Sequence, residues 1–363
     1  MKRKLLAAVG GLSLLWAGSI FAGPIAFNPF VSGADLSTAL SNTSAIGFSY
    51  AGNKFVGSVY SGSNNNQLYQ TNLSGGNVQK FGAPIPGFSG EIYVSSSLGL
   101  GGFASRDVFA GSQVGGTVHH LSNDGLSGSS FVTGLVGGVR GIAFDPYGQY
   151  GNNMIVTTNA GNVYKVNALG NATLLANVGG DAEGLDFAPQ AFGNIAAGTL
   201  VVVSEGTGRL TAIAPDGTKT DLGLQFSVPE MFSFVPLNLG ISGNPLEGFY
   251  AASYPQNVIK ADASEFLSYL GNAIITEESN HSVYQIAWDN TSKTFTKTPI
   301  GTFPSQPEDG IFVTAAILNP GCTLTNSCGG GSSVPEPGTL ALMGLGLASF
   351  GFSRQKRRSL IAN

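Results

Sequence analysis

One unit recurs along the middle of this chain, and it restricts the architecture more than any other feature. Its clearest copies begin Arg140-Gly141-Ile142-Ala143-Phe144-Asp145-Pro146 and Glu183-Gly184-Leu185-Asp186-Phe187-Ala188-Pro189. Each leads into a β-rich stretch, Asn153 to Thr158 or Thr199 to Ser204, and then a Gly-bounded turn and a third strand. A fourth strand follows Gly170-Asn171 or Asp216-Gly217, the second being a strong hairpin signal. Weaker copies open at Glu91, Glu230, Glu265 and Glu308, so first strands start at 91, 140, 183, 230, 265 and 308, at intervals of 35 to 49 residues. That period belongs to propellers and solenoids.

Six starts predict an all-β propeller of six four-stranded blades. Strands near Phe55 to Tyr60, Gln67 to Thr71 and Val78 to Phe81 lack a Glu-led strand before them, and Glu308 to Val313 lacks outer strands after it. The C-terminal strand is therefore expected to complete the first blade and close the ring, which removes its sheet edges. Ala45 to Tyr50 is a second candidate for that inner strand. The interval of 35 residues before 265 is the weakest step, because an insertion there would mimic a short blade. The whole chain of 363 residues has 53 glycines and only 10% charged residues, a composition suited to short strands and tight turns. In style the units resemble six-bladed propellers of the regucalcin/gluconolactonase and NHL kind.

Both ends read as addresses. Lys2-Arg3-Lys4 precedes an apolar run from Leu5 to Ile20, and Ala22 offers a cleavage point for signal peptidase before Gly23. At the other end Val334-Pro335-Glu336-Pro337 leads to an apolar run over 339–352 and then a basic stop, Arg354, Lys356, Arg357 and Arg358. About 14 apolar residues give roughly 21 Å of helix, short of the roughly 30 Å hydrocarbon core, so the span needs help from its flanks. The basic cluster stays cytoplasmic under the positive-inside rule.

This three-part tail resembles the PEP-CTERM sorting signal. The resemblance implies export by the general secretion machinery, anchoring in the inner membrane by the tail, and processing near the motif by an exosortase. It also implies a final place at the cell surface or in an extracellular polysaccharide or biofilm matrix. The expected organisation is a signal peptide at 1–22, a lead-in at 23–50, a propeller at 51–320, a Gly/Ser/Cys linker at 321–333 and the sorting signal at 334–358.

Charge and cysteine usage narrow the function. Seven of the 17 basic residues lie in the two termini, so residues 23 to 353 hold 10 basic against 21 acidic groups, a formal net of −11. Such a body repels nucleic acid and anionic headgroups. Cys322 and Cys328, in a Gly/Ser/Asn-rich segment of an exported chain, read as a local disulfide.

The acidic starts of the first strands, Glu91, Glu183, Glu230, Glu265 and Glu308, with Arg140 in the remaining place, form the one candidate constellation. In a closed ring these positions converge on the channel mouth. The first reading is repeated turn anchors bonded to backbone amides of neighbouring blades, with no cofactor; the second is a set of hard oxygen ligands for Ca²⁺. The sequence shows no G-x-S-x-G, H-E-x-x-H, C-x-x-C or P-loop pattern. His119 and His120 alternate on one strand and so face opposite ways. Tyr147, Tyr150 and Tyr254 stand in loops where rings can stack on sugars. Two classes of function remain: a non-catalytic binding propeller of the surface or matrix, and a Ca²⁺-dependent lactonase-like or other hydrolase.

Overall fold

The computed structural model describes residues 24–62 and 66–318. The expected signal peptide at 1–22, both cysteines, the sorting motif and the apolar run at 339–352 lie outside the described residues. Among the described residues no helix is long and apolar enough to cross a membrane.

Six four-stranded antiparallel sheets make up the body. From inner to outer strand, the first blade is Ala45–Tyr50, Phe55–Val59, Leu68–Thr71 and Gln79–Phe81, and the second is Ile92–Ser96, Val108–Ser112, Val118–Leu121 and Gly128–Val132. The third is Val139–Phe144, Met154–Thr158, Asn162–Val166 and Ala172–Asn177, and the fourth is Ala182–Phe187, Leu200–Ser204, Arg209–Ile213 and Lys219–Gln225. The fifth runs Pro229–Phe234, Ala273–Glu277, Ser282–Asp289 and Thr294–Thr302. In the sixth, the inner strand Gln306–Val313 pairs with Gly248–Tyr254, then Asn257–Asp262, then Asn28–Val31 at the rim.

Sequence pattern explains the layering. Second strands such as Leu200–Ser204 and Val108–Ser112 are buried at every position, because neighbouring blades cover both of their faces. They accordingly read as continuous apolar runs, whereas the outer strand Lys219–Gln225 is mostly exposed. The core is divided among six seams between blades. One joins Val201 and Leu210 of the fourth blade to Phe232 and Ile275 of the fifth, and another joins Val56 and Leu68 of the first to Val94 and Ala110 of the second. The seam that closes the ring is aromatic: Phe48 stacks on Phe55 at 5.0 Å, and Tyr250 of the sixth blade lies 4.8 Å from Phe55. Aromatic pairs of this kind add about 0.5–1.5 kcal/mol each beyond their buried area.

The Gly after the acidic residue has a steric cause. A Cβ on Gly184 would lie 2.4 Å from the Phe232 backbone nitrogen of the next blade, and one on Gly141 would lie 2.6 Å from the Glu183 carbonyl oxygen. Inner strands crowd at the axis, and only a residue without a side chain lets them approach. The register also shifts there, between Ala182 and Leu185 and between Pro229 and Phe232. Such bulges re-aim side chains, here those of Glu183 and Glu230.

Blade number agrees with the sequence reading, but the closure differs. Ala45–Tyr50 is the inner strand of the first blade, so the ring begins inside the expected lead-in. The C-terminal strand completes the sixth blade instead. After Phe234 the chain leaves the fifth blade, builds Gly248–Tyr254 and Asn257–Asp262, and returns to finish the fifth at Ala273. Glu265 starts no strand: it lies on a 3₁₀ helix, Ala263–Tyr269, within that excursion.

Candidate functional site

Inner-strand starts and second-strand ends meet at one mouth of the channel, since Ala182 pairs with Ser204 and Pro229 with Glu277. The inner strands bring Arg140, Glu183, Glu230 and Glu308, with Glu91 just before the second blade's strand. Glu205 and Glu278 follow directly after the ends of the neighbouring second strands, and Asp181 precedes the fourth blade's inner strand. The first blade has Ile46 and Gly47 in the corresponding place.

Arg140 organises one half of the mouth. Its side chain is 4% exposed, and its guanidinium makes ion pairs with Glu91 and Glu183 as well as with Asp181 Oδ1 at 3.1 Å and Glu205 Oε2 at 3.2 Å. The guanidinium carbon also lies 5.4 Å from the centre of the Tyr93 ring. The Tyr93 hydroxyl donates to Glu91 Oε2 at 2.9 Å.

The other half has no such cation among the described residues. Glu230, Glu278 and Glu308 bring carboxylate oxygens within 4.8 Å of one another. The Gln306 amide nitrogen donates to Glu278 Oε1 at 2.9 Å and to Glu308 Oε1 at 3.0 Å. Glu230 Oε2 and Glu308 Oε2 are buried without a hydrogen-bond partner among the described residues. Two carboxylates at 4.8 Å repel by about 3.5 kcal/mol at an effective dielectric of about 20.

Protonation follows burial. Desolvation pushes Glu91 up to about 7, opposed by the Tyr93 hydrogen bond. It also raises Asp181 and Glu205, which Arg140 pulls back down, and Glu278. Glu230 rises well above the ordinary carboxyl range through burial, which outweighs the pull of Arg140, and Glu308 does so through burial and then the charge of Glu230.

The five acids singled out in the sequence therefore divide. Glu91 and Glu183 face Arg140, Glu230 and Glu308 face each other, and Glu265 is elsewhere, accepting from the Ala26 amide at 3.1 Å. Among the described residues no backbone amide donates to the side chains of Glu91, Glu183, Glu230 or Glu308. Amide anchoring between blades is done instead by Asp186, which accepts from Phe234 N at 2.8 Å, and by Asp309, which is bonded to the Phe48 amide. Asp181, Glu205, Glu278 and Gln306 went unnoticed in sequence. The signal available for two of them was an acid directly after a buried second strand. His120 pairs with Asp107 at 2.6 Å, on the side of the strand away from His119. Tyr150 is not a loop platform: it is 2% exposed, and its hydroxyl accepts from Leu200 N at 2.9 Å.

Comparison with known proteins adds the address and confirms the architecture. The PEP-CTERM protein-sorting motif matches residues 333–358. No curated protein matches the chain. Among solved structures, a catalytically inactive virginiamycin B lyase from Staphylococcus aureus with quinupristin is 12% identical, with a TM-score of 0.50, covering 78% of this chain and 77% of the other. A protein from the nidogen/laminin complex is 19% identical, with a TM-score of 0.47 and coverage of 73% and 83%. A Bacteroides thetaiotaomicron protein of unknown function is 12% identical, with a TM-score of 0.49 and coverage of 78% and 69%. At 12% identity the likeness to the lyase is one of fold. The motif implies export, anchoring by the C-terminal region before processing, and exosortase as the processing partner. The chain is thus a six-bladed β-propeller that carries a PEP-CTERM sorting motif.

Proposed function

We propose that this propeller is a non-catalytic binding body that exosortase delivers to the cell surface or extracellular matrix, where it engages exopolysaccharide. The observation that carries the reading is the order of parts. The strand that completes the sixth blade ends at Val313, well before the motif at 333–358. Cutting near Pro335 to Pro337 removes the tail and leaves every strand of the ring in place.

The mouth of the channel offers a surface for sugars. Tyr254 pairs in register with Gln306, which bonds Glu278 and Glu308. Tyr60, 39% exposed, meets Tyr254 edge-on at 6.2 Å. Aromatic rings on a wet rim present an apolar face to a sugar while their hydroxyls stay solvated.

The test compares a host with exosortase to one without it. With the enzyme, surface or medium fractions contain a chain shortened near Pro335 to Pro337, and without it the intact chain stays in the inner membrane. An intact Arg354 to Asn363 terminus on surface material, read by mass spectrometry, contradicts the sorting step. Equal retention on cells lacking exopolysaccharide contradicts the matrix step. The hydrolase reading gains only if the purified chain opens lactones and loses that activity with Glu230→Gln.

A further inference from the structure

We propose that Glu230, Glu278 and Glu308 form a binding site for a hard divalent cation, Ca²⁺, at the mouth of the channel. The argument does not depend on the sorting or matrix reading.

Two acidic triads meet at this mouth, Asp181 with Glu183 and Glu205, and Glu230 with Glu278 and Glu308, and each gathers its oxygens within 4.8 Å. The first already has a cation. The Arg140 guanidinium pairs with all three of its members. The second has the same density of carboxylates, yet no Lys, Arg or His forms an ion pair with any of them among the described residues. Its two inner-strand members are 3% and 1% exposed, and each holds one oxygen with no hydrogen-bond partner. Buried, unpaired carboxylates are retained where a cation supplies what the protein does not.

Donor type and support select the ion. Every donor is a carboxylate oxygen, the choice of a hard cation, and no thiol or imidazole belongs to the cluster. The Gln306 amide ties Glu278 to Glu308 and so orients two ligands while leaving Glu308 Oε2 free, the usual task of an outer partner. Glu278 is half-buried and lies just past the end of the strand Ala273–Glu277, which leaves an entry from solvent. Ca²⁺ suits an irregular set of this kind, filling its remaining positions with water, whereas Mg²⁺ demands a closer octahedron.

The experiment uses the full-length chain in detergent, stripped with EGTA and titrated with CaCl₂ by calorimetry, with melting temperature as a second readout. One saturable site per chain is expected, and Ca²⁺ should raise the melting temperature as a ligand of the folded state. Glu230→Gln combined with Glu308→Gln should weaken binding by about 100-fold or more, and Gln306→Ala by about 10-fold or more. Glu265→Gln, away from the mouth on the 3₁₀ helix, should leave affinity within about threefold. Should the double variant fail to fold, Glu278→Gln at the half-buried rim decides, with about a 10-fold loss expected. The proposal is overturned by non-saturating heats in the wild type, by unchanged affinity in Glu278→Gln or the double variant, or by binding of Mg²⁺ with none of Ca²⁺.

Discussion

The two sides of the channel mouth are built from the same parts and differ in one. The second, third and fourth blades place Arg140 among Glu91, Asp181, Glu183 and Glu205, and the guanidinium answers all four. The fifth and sixth blades place Glu230, Glu278 and Glu308 together, where the neutral Gln306 amide holds Glu278 and Glu308 and no ion pair reaches any of the three among the described residues. A single repeat position, Arg in the third blade, Glu in four others and Ile46 in the first, thus separates an internally compensated cluster from an open one. The repeat makes the scaffold, and the exception makes the chemistry.

Removing that exception should have the largest effect. Arg140→Met leaves four acids facing each other without a counter-ion, and loss of one partner from a buried ion pair typically costs about 3–5 kcal/mol. Chemical denaturation of the variant at pH 7.5 measures it. A loss below about 1 kcal/mol would mean that the two sides do not differ in the way described.

A smaller effect is expected from pH. Asp186 and Asp309 are pushed up to about 7 by burial, as is Glu91. A carboxyl whose folded-state pKa exceeds its unfolded value holds extra protons in the folded chain between the two values, so stability falls as pH rises through that window. The carboxylates held below their ordinary range, Asp124, Asp216 and Asp289, act in acid, beneath it. In EGTA the melting temperature should therefore be higher at pH 5 than at pH 8. Glu230→Gln with Glu308→Gln should flatten the slope without abolishing it, because Asp186 and Asp309 remain. A melting temperature that rises from pH 5 to pH 8 contradicts this assignment.

The smallest effect lies outside the ring. Cys322 and Cys328 follow the closing strand, which ends at Val313. Cys322→Ser should change the stability of the body by no more than about 0.5 kcal/mol, because every strand of the ring is complete by Val313. A large drop in melting temperature would show that the ring depends on the segment beyond it.

What could be read in sequence followed steric demand. The Glu-Gly and Arg-Gly starts at Glu183 and Arg140 were visible because a crowded axis and a bulged inner strand leave little choice after the acidic or basic residue. The first blade was harder, since Ile46-Gly47 keeps the glycine and loses the acid. The sixth blade was misread because its strands come from three separate stretches, Asn28–Val31, Gly248–Asp262 and Gln306–Val313. The continuous apolar run along Gly248–Tyr254 reports that it is a buried strand and says nothing of which sheet it joins. Glu265 followed by Phe266 and Tyr269 imitates an acid-led strand, but the two aromatics are buried from a 3₁₀ turn. At the mouth, Glu205 and Glu278 escaped because each looks like an ordinary residue of a turn until strand pairing sets it beside an inner strand.

The contrast between Glu183 and Glu230 tests the account most directly. Denaturant unfolding of Glu183→Gln and Glu230→Gln is compared at pH 8 in EGTA, where no added ion masks the difference. Glu183 answers Arg140, so its substitution should destabilise by about 1–3 kcal/mol. Glu230 forms no ion pair among the described residues and lies with two other carboxylates whose oxygens are within 4.8 Å, so its substitution should leave stability unchanged or raise it. Similar losses at both positions would instead make the acids equivalent anchors of a repeat, and the division of the channel mouth would be wrong.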